Sequence, residues 1–289
     1  MAHPVPILMY HSVDWARDPR SRRWAVSPTL FAEHMRWLAD HGYRPVTIST
    51  LRSACAAGSP LPPRTLAITF DDGLRDFLTE AVPVLERCGF PATLYVVTGY
   101  VGKTNLWSQR LGEQGRPMLN WTELRALPGF GVECGAHTHS HPQLDLLPPA
   151  EAFAEVRRSK HCLEDHLGRA VHAFAYPHGY ASPTTRDLVR QAGFTSACRV
   201  RHALSSTDED AFALSRIIMT NDIRVGDLGA LLTGKNLPIA PSPDRLASIG
   251  WRLARKVCHS LRRWSERPIV TADCDRIIAK DRPETGGRS

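Results

Sequence analysis

Short apolar runs recur along the first 200 positions, and amphipathic stretches with readable ends separate them. The runs at 6–10, 65–70, 92–97, 131–135, 170–176 and 195–200 have the length and composition of buried strands. Between them, Ser27 followed by Pro28 reads as an N-cap with proline at the first helical position. Leu30, Phe31, Met35 and Leu38 then recur at helical spacing, and Gly42 closes the segment. The stretches 74–88, 149–167 and 182–192 repeat this scheme and end at Gly89, Gly168 and Gly193. Six or more β units alternating with helices predict an α/β fold with a mostly parallel sheet, which a closed or nearly closed β/α barrel buries best. The polar, glycine-rich stretch 99–118 reads as a long loop over one barrel end, where function usually resides.

Composition narrows the class. With 289 residues, 43% hydrophobic and 22% charged, the chain is long and apolar enough for a large core, which excludes wholesale disorder, a coiled coil and a stapled mini-protein. The formal charge is +7, but residues 241–289 hold 11 basic residues against 6 acidic ones, so the excess belongs to the tail. The predicted organisation is a barrel over 1–240 and a C-terminal helical extension over 241–289. Within the extension, Leu246, Ile249, Leu253, Val257, Leu261 and Trp264 recur at helical spacing, with Arg252, Arg255, Lys256, Arg262 and Arg263 mostly off that stripe. Such a helix, over 244–264, would lie on an anionic membrane surface or pack its stripe on the barrel. No base-stacking or groove-reading motif accompanies the charge, which argues against a nucleic-acid partner. Seven scattered cysteines without a CxxC pair, no secretory signal and no apolar run long enough to span a membrane predict a reduced, cytoplasmic protein, peripheral to the inner membrane face at most.

Four features at the ends of strand-like runs carry chemistry. Asp71 and Asp72 follow the run 65–70, and diverging neighbours there suit a metal ligand and a base, although Asp-Asp-Gly is also ordinary turn chemistry. His137, His139 and His141 follow the run 131–135. Imidazoles four apart fall on one face of a helical turn, so His137 and His141 suit one cation with Asp72 as the third ligand, leaving His139 a structural part. In Tyr176-Pro177-His178-Gly179 the proline fixes a turn and the glycine allows close approach, so the loop can offer a main-chain N–H to an oxyanion. His11 ends the first run and is a candidate general acid, or else a satisfied structural histidine.

Taken together, TFDDG at 69–73, HTHSH at 137–141 and FAYPHG at 174–179 resemble the motifs of the polysaccharide deacetylase family, carbohydrate esterase family 4, or NodB homology domain. PILMYHSV at 6–13 resembles in particular the branch with biofilm poly-N-acetylglucosamine deacetylases, and the likeness runs over about 5–225. The resemblance implies a distorted (β/α) barrel of about seven strands, with Asp71 as general base, Asp72, His137 and His141 as metal ligands, Tyr176 to Gly179 lining the groove, the His178 N–H as oxyanion donor and His11 as acid. It also implies hydrolysis of N-acetyl groups on amino sugars of a glycan or glycolipid, with a water on the cation as nucleophile. The ligand set suits zinc, with cobalt or nickel as substitutes. An amidase or deformylase acting on a small or lipid-linked nitrogenous substrate, or a catalytically silent glycan-binding barrel, are the alternatives. Two departures stand out: the arginine that tethers the base in the family's usual turn is replaced by Ala175, and the late segment that usually supplies the acid is missing. Arg199 and Arg216 are the candidate replacements for the tether, or else surface charges.

Overall fold

The computed structural model describes residues 4–16, 18, 23–107, 115–235, 237–242, 250, 254, 255 and 257. The chain divides into two units, Met1–Ser242 and Pro243–Ser289. The stretch 244–264 and the tail after it lie outside the described residues except at 250, 254, 255 and 257. The sheet and the helices around it belong to the first unit. Among the described residues no helix is long and apolar enough to cross a membrane.

The chain forms strands β1 (Ile7–Tyr10), β2 (Arg44–Val46), β3 (Thr65–Phe70), β4 (Ala92–Val96), β5 (Val132–Ala136), β6 (Ala173–Ala175), β7 (Ser196–Cys198) and β8 (Ile217–Ile218). The helices are α1 (Pro28–Asp40), α2 (Ile48–Ala56), α3 (Val82–Cys88), α4 (Trp121–Ala126), α5 (Pro149–Leu167), α6 (Pro183–Gln191) and α7 (Val225–Leu232). Seven strands run in the order β7-β6-β5-β4-β3-β1-β8, with β2 paired to β3 off this path, and every pairing is parallel. The sheet curls into a half-barrel, the open form of the predicted barrel. Its edges are brought together by 214–218: Leu214 exchanges main-chain hydrogen bonds with Ala197 and Arg199 beside β7, and Ile217–Ile218 then pairs with Leu8 and Met9 of β1.

Strand alternation separates two cores. Leu8, Tyr10, Leu66, Ile68, Phe70, Leu94 and Phe174 face outward beneath the helices. Ile7, Ala67, Tyr95, Ala173, Ala175 and Cys198 fill the lumen with Ile48 and Leu51 of α2. At the N-terminal ends of β4 and β5, α2 plugs the lumen: the Ile48 N–H donates to Thr93 Oγ1 at 3.0 Å, and the Ser49 hydroxyl and N–H donate to Glu133. Neither β2 nor α2 is evident from periodicity, since β2 has three residues and α2 buries only Ile48 and Leu51.

Caps account for the helix boundaries. Ser27 Oγ accepts the Leu30 N–H, and α5 ends at left-handed Gly168. The segment expected as one helix from 74 begins instead with a π-turn, Phe77–Ala81, before α3. Pro83 has no N–H for the Thr79 carbonyl, so the ladder shifts by one and the Val82 N–H reaches the Phe77 carbonyl.

Candidate active site

The two aspartates reach one site because the backbone breaks its own alternation. Asp71 continues the lumen-facing series Ala67, Thr69, and its N–H donates to the Tyr10 carbonyl at 3.0 Å. Asp72 would point the other way in a regular strand, but at φ 78 its left-handed backbone turns the carboxylate back to the rim, with Gly73 following at φ 86. Thr138, His141 and His178, also beside the cleft, share positive φ, so the strain gathers where the functional groups do.

His137 extends the lumen series Glu133, Gly135 and is anchored by its N–H to the Val96 carbonyl at 2.9 Å. Its Nδ1 donates to the Ala175 carbonyl at 2.8 Å, which leaves Nε2 as the lone-pair nitrogen facing Asp72. Burial holds this imidazole down to about 4, so it is neutral near pH 7. The route to His141 is a tight loop without any helical turn, contrary to the helical-face expectation. Thr138 Oγ1 accepts the His141 N–H at 3.0 Å, while Glu155 of α5 accepts the N–H groups of His139 and Ser140 at 3.0 and 2.8 Å. The result places Asp72 Oδ1 3.7 Å from His137 Nε2 and 3.4 Å from His141 Nε2. The three ligand atoms lie within 4.8 Å of one another. Burial alone would raise the Asp72 pKa, but the adjacent imidazoles hold it well below the usual carboxylate range. His139 points away and meets Thr98 Oγ1 at 3.0 Å.

Arg216 decides the state of Asp71. Its Nη1 and Nη2 donate to the two carboxylate oxygens at 2.6 and 2.7 Å. Nη1 also reaches Thr69 Oγ1 and Nε the Arg199 carbonyl, each at 3.2 Å, and the guanidinium lies over the Tyr95 ring. Arg216 is 0% and Asp71 1% exposed. Burial pushes the Asp71 pKa up, and the bidentate guanidinium more than reverses it, keeping the carboxylate ionised. Of the two arginines the sequence leaves open, Arg199 instead contributes main-chain groups to the seam. Arg216 lies between Leu214, which bonds beside the edge strand β7, and the edge strand β8, and its side chain enters the lumen.

His11 follows Ile7 and Met9 on the lumen side of β1, with Nε2 4.0 Å from Asp71 Oδ2 and its ring against Trp24 at 4.7 Å. Burial lowers its pKa, partly offset by Asp71 and Asp72. The turn after β6 corrects the groove reading in part. The Tyr176 side chain is buried in the outer core and donates its hydroxyl to the Phe212 carbonyl at 2.9 Å, and Pro177 and Gly179 are buried. His178 and Tyr180 line the cleft instead. A Cβ on Gly179 would collide with the Val200 main chain, and its φ is 77, so only glycine fits.

These groups open into a cleft of about 590 Å³, whose lining also includes Trp24 and Trp107. The Trp107 ring stacks on His141 at 5.1 Å. Nothing in the local pattern singles out Trp24, Trp107 or Glu155, because each acts on a partner far along the chain.

Residues 58–197 match the family model described as polysaccharide deacetylase. YxkH of Bacillus subtilis (strain 168) is 25% identical over 229 residues, covering 79% of this chain and 76% of that protein. The poly-beta-1,6-N-acetyl-D-glucosamine N-deacetylase of Escherichia coli (strain K12) is 24% identical over 247 residues, and the match spans 74% of this chain but only 36% of that longer protein. Among solved structures, IcaB from Ammonifex degensii superimposes with a TM-score of 0.68 at 27% identity, over 79% of this chain and 97% of that one. The family match takes in both aspartates, the two histidines beside Asp72 and the turn after β6. The backbone that carries them is the same half-barrel. Sequence and fold therefore agree that residues 58–197 carry a polysaccharide deacetylase domain.

Proposed function

We propose that the chain removes N-acetyl groups from amino sugars of a glycan or glycolipid, with Asp71 as general base and His11 as general acid. The observation that carries this reading is an ionised, doubly tethered Asp71 beside both the Asp72, His137, His141 cluster and His11. The E. coli relative's name supplies the substrate class, an N-acetylated glucosamine polymer.

Asp72, His137 and His141 fit a divalent cation. Among the described residues Asp72 Oδ1 is buried without a hydrogen-bond partner, and the His137 tautomer leaves Nε2 as an electron-pair donor. Two imidazoles and one carboxylate suit zinc best, with cobalt or nickel acceptable. Bound there, the cation would supply Lewis-acid polarisation of the acetamide carbonyl and acidify a water. The residues do the rest. Asp71 takes the proton of the attacking water, its own oxygens held in place by Arg216. His11, neutral at rest, receives that proton and delivers it to the departing nitrogen, so the reaction needs no proton from outside. The His178 N–H, on a turn that the proline and glycine beside it shape, would face the tetrahedral oxyanion.

The test is acetate release from N-acetylglucosamine oligomers together with metal content. Wild type should release acetate, Asp71→Asn should keep its metal and lose the activity, and His137→Ala should lose both. Stoichiometric metal without acetate would redirect the reading to another amide substrate, and a metal-free, inactive wild type would point to a glycan-binding barrel.

A further inference from the structure

A buried carboxylate that the proposed reaction does not use lies behind Arg216. Glu209 is 7% exposed. One of its oxygens accepts from Ser205 Oγ at 2.7 Å and from the Ser215 N–H at 2.8 Å, and the other accepts from Ser215 Oγ at 2.6 Å. Among the described residues no Lys or Arg pairs with it, and its hydrogen bonds come from the two serines, which satisfies the buried carboxyl group without a cation. Both serines sit at strategic points. Ser205 belongs to the short pair between Pro4–Val5 and Ser205–Ser206, and Ser215 immediately precedes Arg216.

The main chain leading into Arg216 is thus pinned twice, at Leu214 by Ala197 and Arg199 and at Ser215 by Glu209. A planar guanidinium meets both oxygens of a carboxylate only when its Cα is fixed, because a long side chain magnifies any backbone slip. The fixed charge that bears most on Asp71 is that of Arg216, so the influence of Glu209 runs through the backbone it holds.

We propose that Glu209, together with Ser215, is a positioning residue for the catalytic base: it fixes the main chain at 215 so that the Arg216 fork engages both oxygens of Asp71. The kinetic consequence rests on the deacetylase reading; the placement of Arg216 does not.

A double-mutant cycle tests it. Glu209→Ala should lower kcat about tenfold, the lower end of what lost outer-shell partners cost, with KM and metal content unchanged. Glu209→Gln, which keeps an acceptor for the Ser215 N–H, should recover most of the loss. In an Arg216→Met background, Glu209→Ala should change kcat by less than about twofold, because its route to Asp71 is already cut. An equal factor in both backgrounds, or no effect in either, would overturn the proposal. Should Glu209→Ala fail to fold, Ser215→Ala enters the same cycle with the same criteria and a smaller expected drop. A second readout is independent of turnover: in arginine-labelled protein the buried Nε–H of Arg216 should exchange faster in Glu209→Ala than in wild type or Glu209→Gln. Unchanged exchange would overturn the proposal even in an active enzyme. A wild type inactive on acetylated glycans, but with this exchange pattern, would overturn only the functional reading.

Discussion

Replacing Arg216 by methionine keeps a long apolar stem in the lumen and strands the Asp71 charge, which makes the base itself a probe of the site's electrostatics. In the wild type both side chains are buried and joined by two hydrogen bonds of 2.6 and 2.7 Å. Removing one partner of such a pair typically costs about 3–5 kcal/mol. Here the cost has a ceiling, because the variant can fold with Asp71 protonated. An aspartate with an unfolded pKa near 3.9 takes a proton at pH 7 for about 4 kcal/mol, and at pH 5 for about 1.5 kcal/mol. The stability deficit of Arg216→Met should therefore shrink from about 4 kcal/mol at pH 7 to about 1.5 kcal/mol at pH 5, by the same linkage. Asp71→Asn should behave differently, since Arg216 cannot shed its charge in this range and its deficit should hardly vary with pH. The double variant Asp71→Asn/Arg216→Met, with no charge left to strand, should recover most of the loss. Urea unfolding of all four proteins at pH 7, 6 and 5 measures this. A deficit for Arg216→Met below about 1 kcal/mol at pH 7, or one equal at pH 5 and 7, would refute the account of Asp71 as an ion held by a single arginine.

Three further expectations bear on the rest of the rim. Asp72→Asn and His141→Ala should each cost at least about tenfold in zinc affinity by competition with a chelator, and a Kd equal to that of wild type would remove that residue from the ligand set. In metal-free protein the folded pKa of His137 is lowered to about 4 from 6.5. The unfolded chain takes up the extra proton between those values, so the contribution of the neutral ring is complete above pH 6.5 and is lost as the pH falls through 4, about 3 kcal/mol in all. Urea midpoints of the stripped protein should fall across that window and do so less steeply in His137→Asn; parallel curves would count against it. Gly179→Ala should cost at least about 1–3 kcal/mol, from a left-handed φ of 77 and a collision with the Val200 main chain, and should reduce turnover by shifting the His178 turn. A thermal melt and an acetate assay indistinguishable from wild type would show that the turn has slack.

Much of the rim is encoded locally. A strand's alternation extends past its last hydrogen bond, so His11 after Ile7 and Met9, Asp71 after Ala67 and Thr69, and His137 after Glu133 and Gly135 all point into the lumen wherever their strands lie. Caps act over a few residues, which is why Ser27 and Gly168 mark real helix ends. Tertiary structure decided what depends on distant partners. Arg199 and Arg216 are equivalent by local pattern, and Arg216 becomes the tether only because 214–218 closes the curled sheet and carries it to a carboxylate 145 positions earlier in the chain. His141 joins Asp72 through a loop clasped by Glu155 rather than through a helical turn, and Tyr176 turns into the outer core because the Phe212 carbonyl awaits its hydroxyl. Periodicity and caps are short-range properties that a sequence expresses directly. Which two side chains share a buried pocket depends on how the sheet curls and where its edges meet, and that emerges only when the whole chain packs.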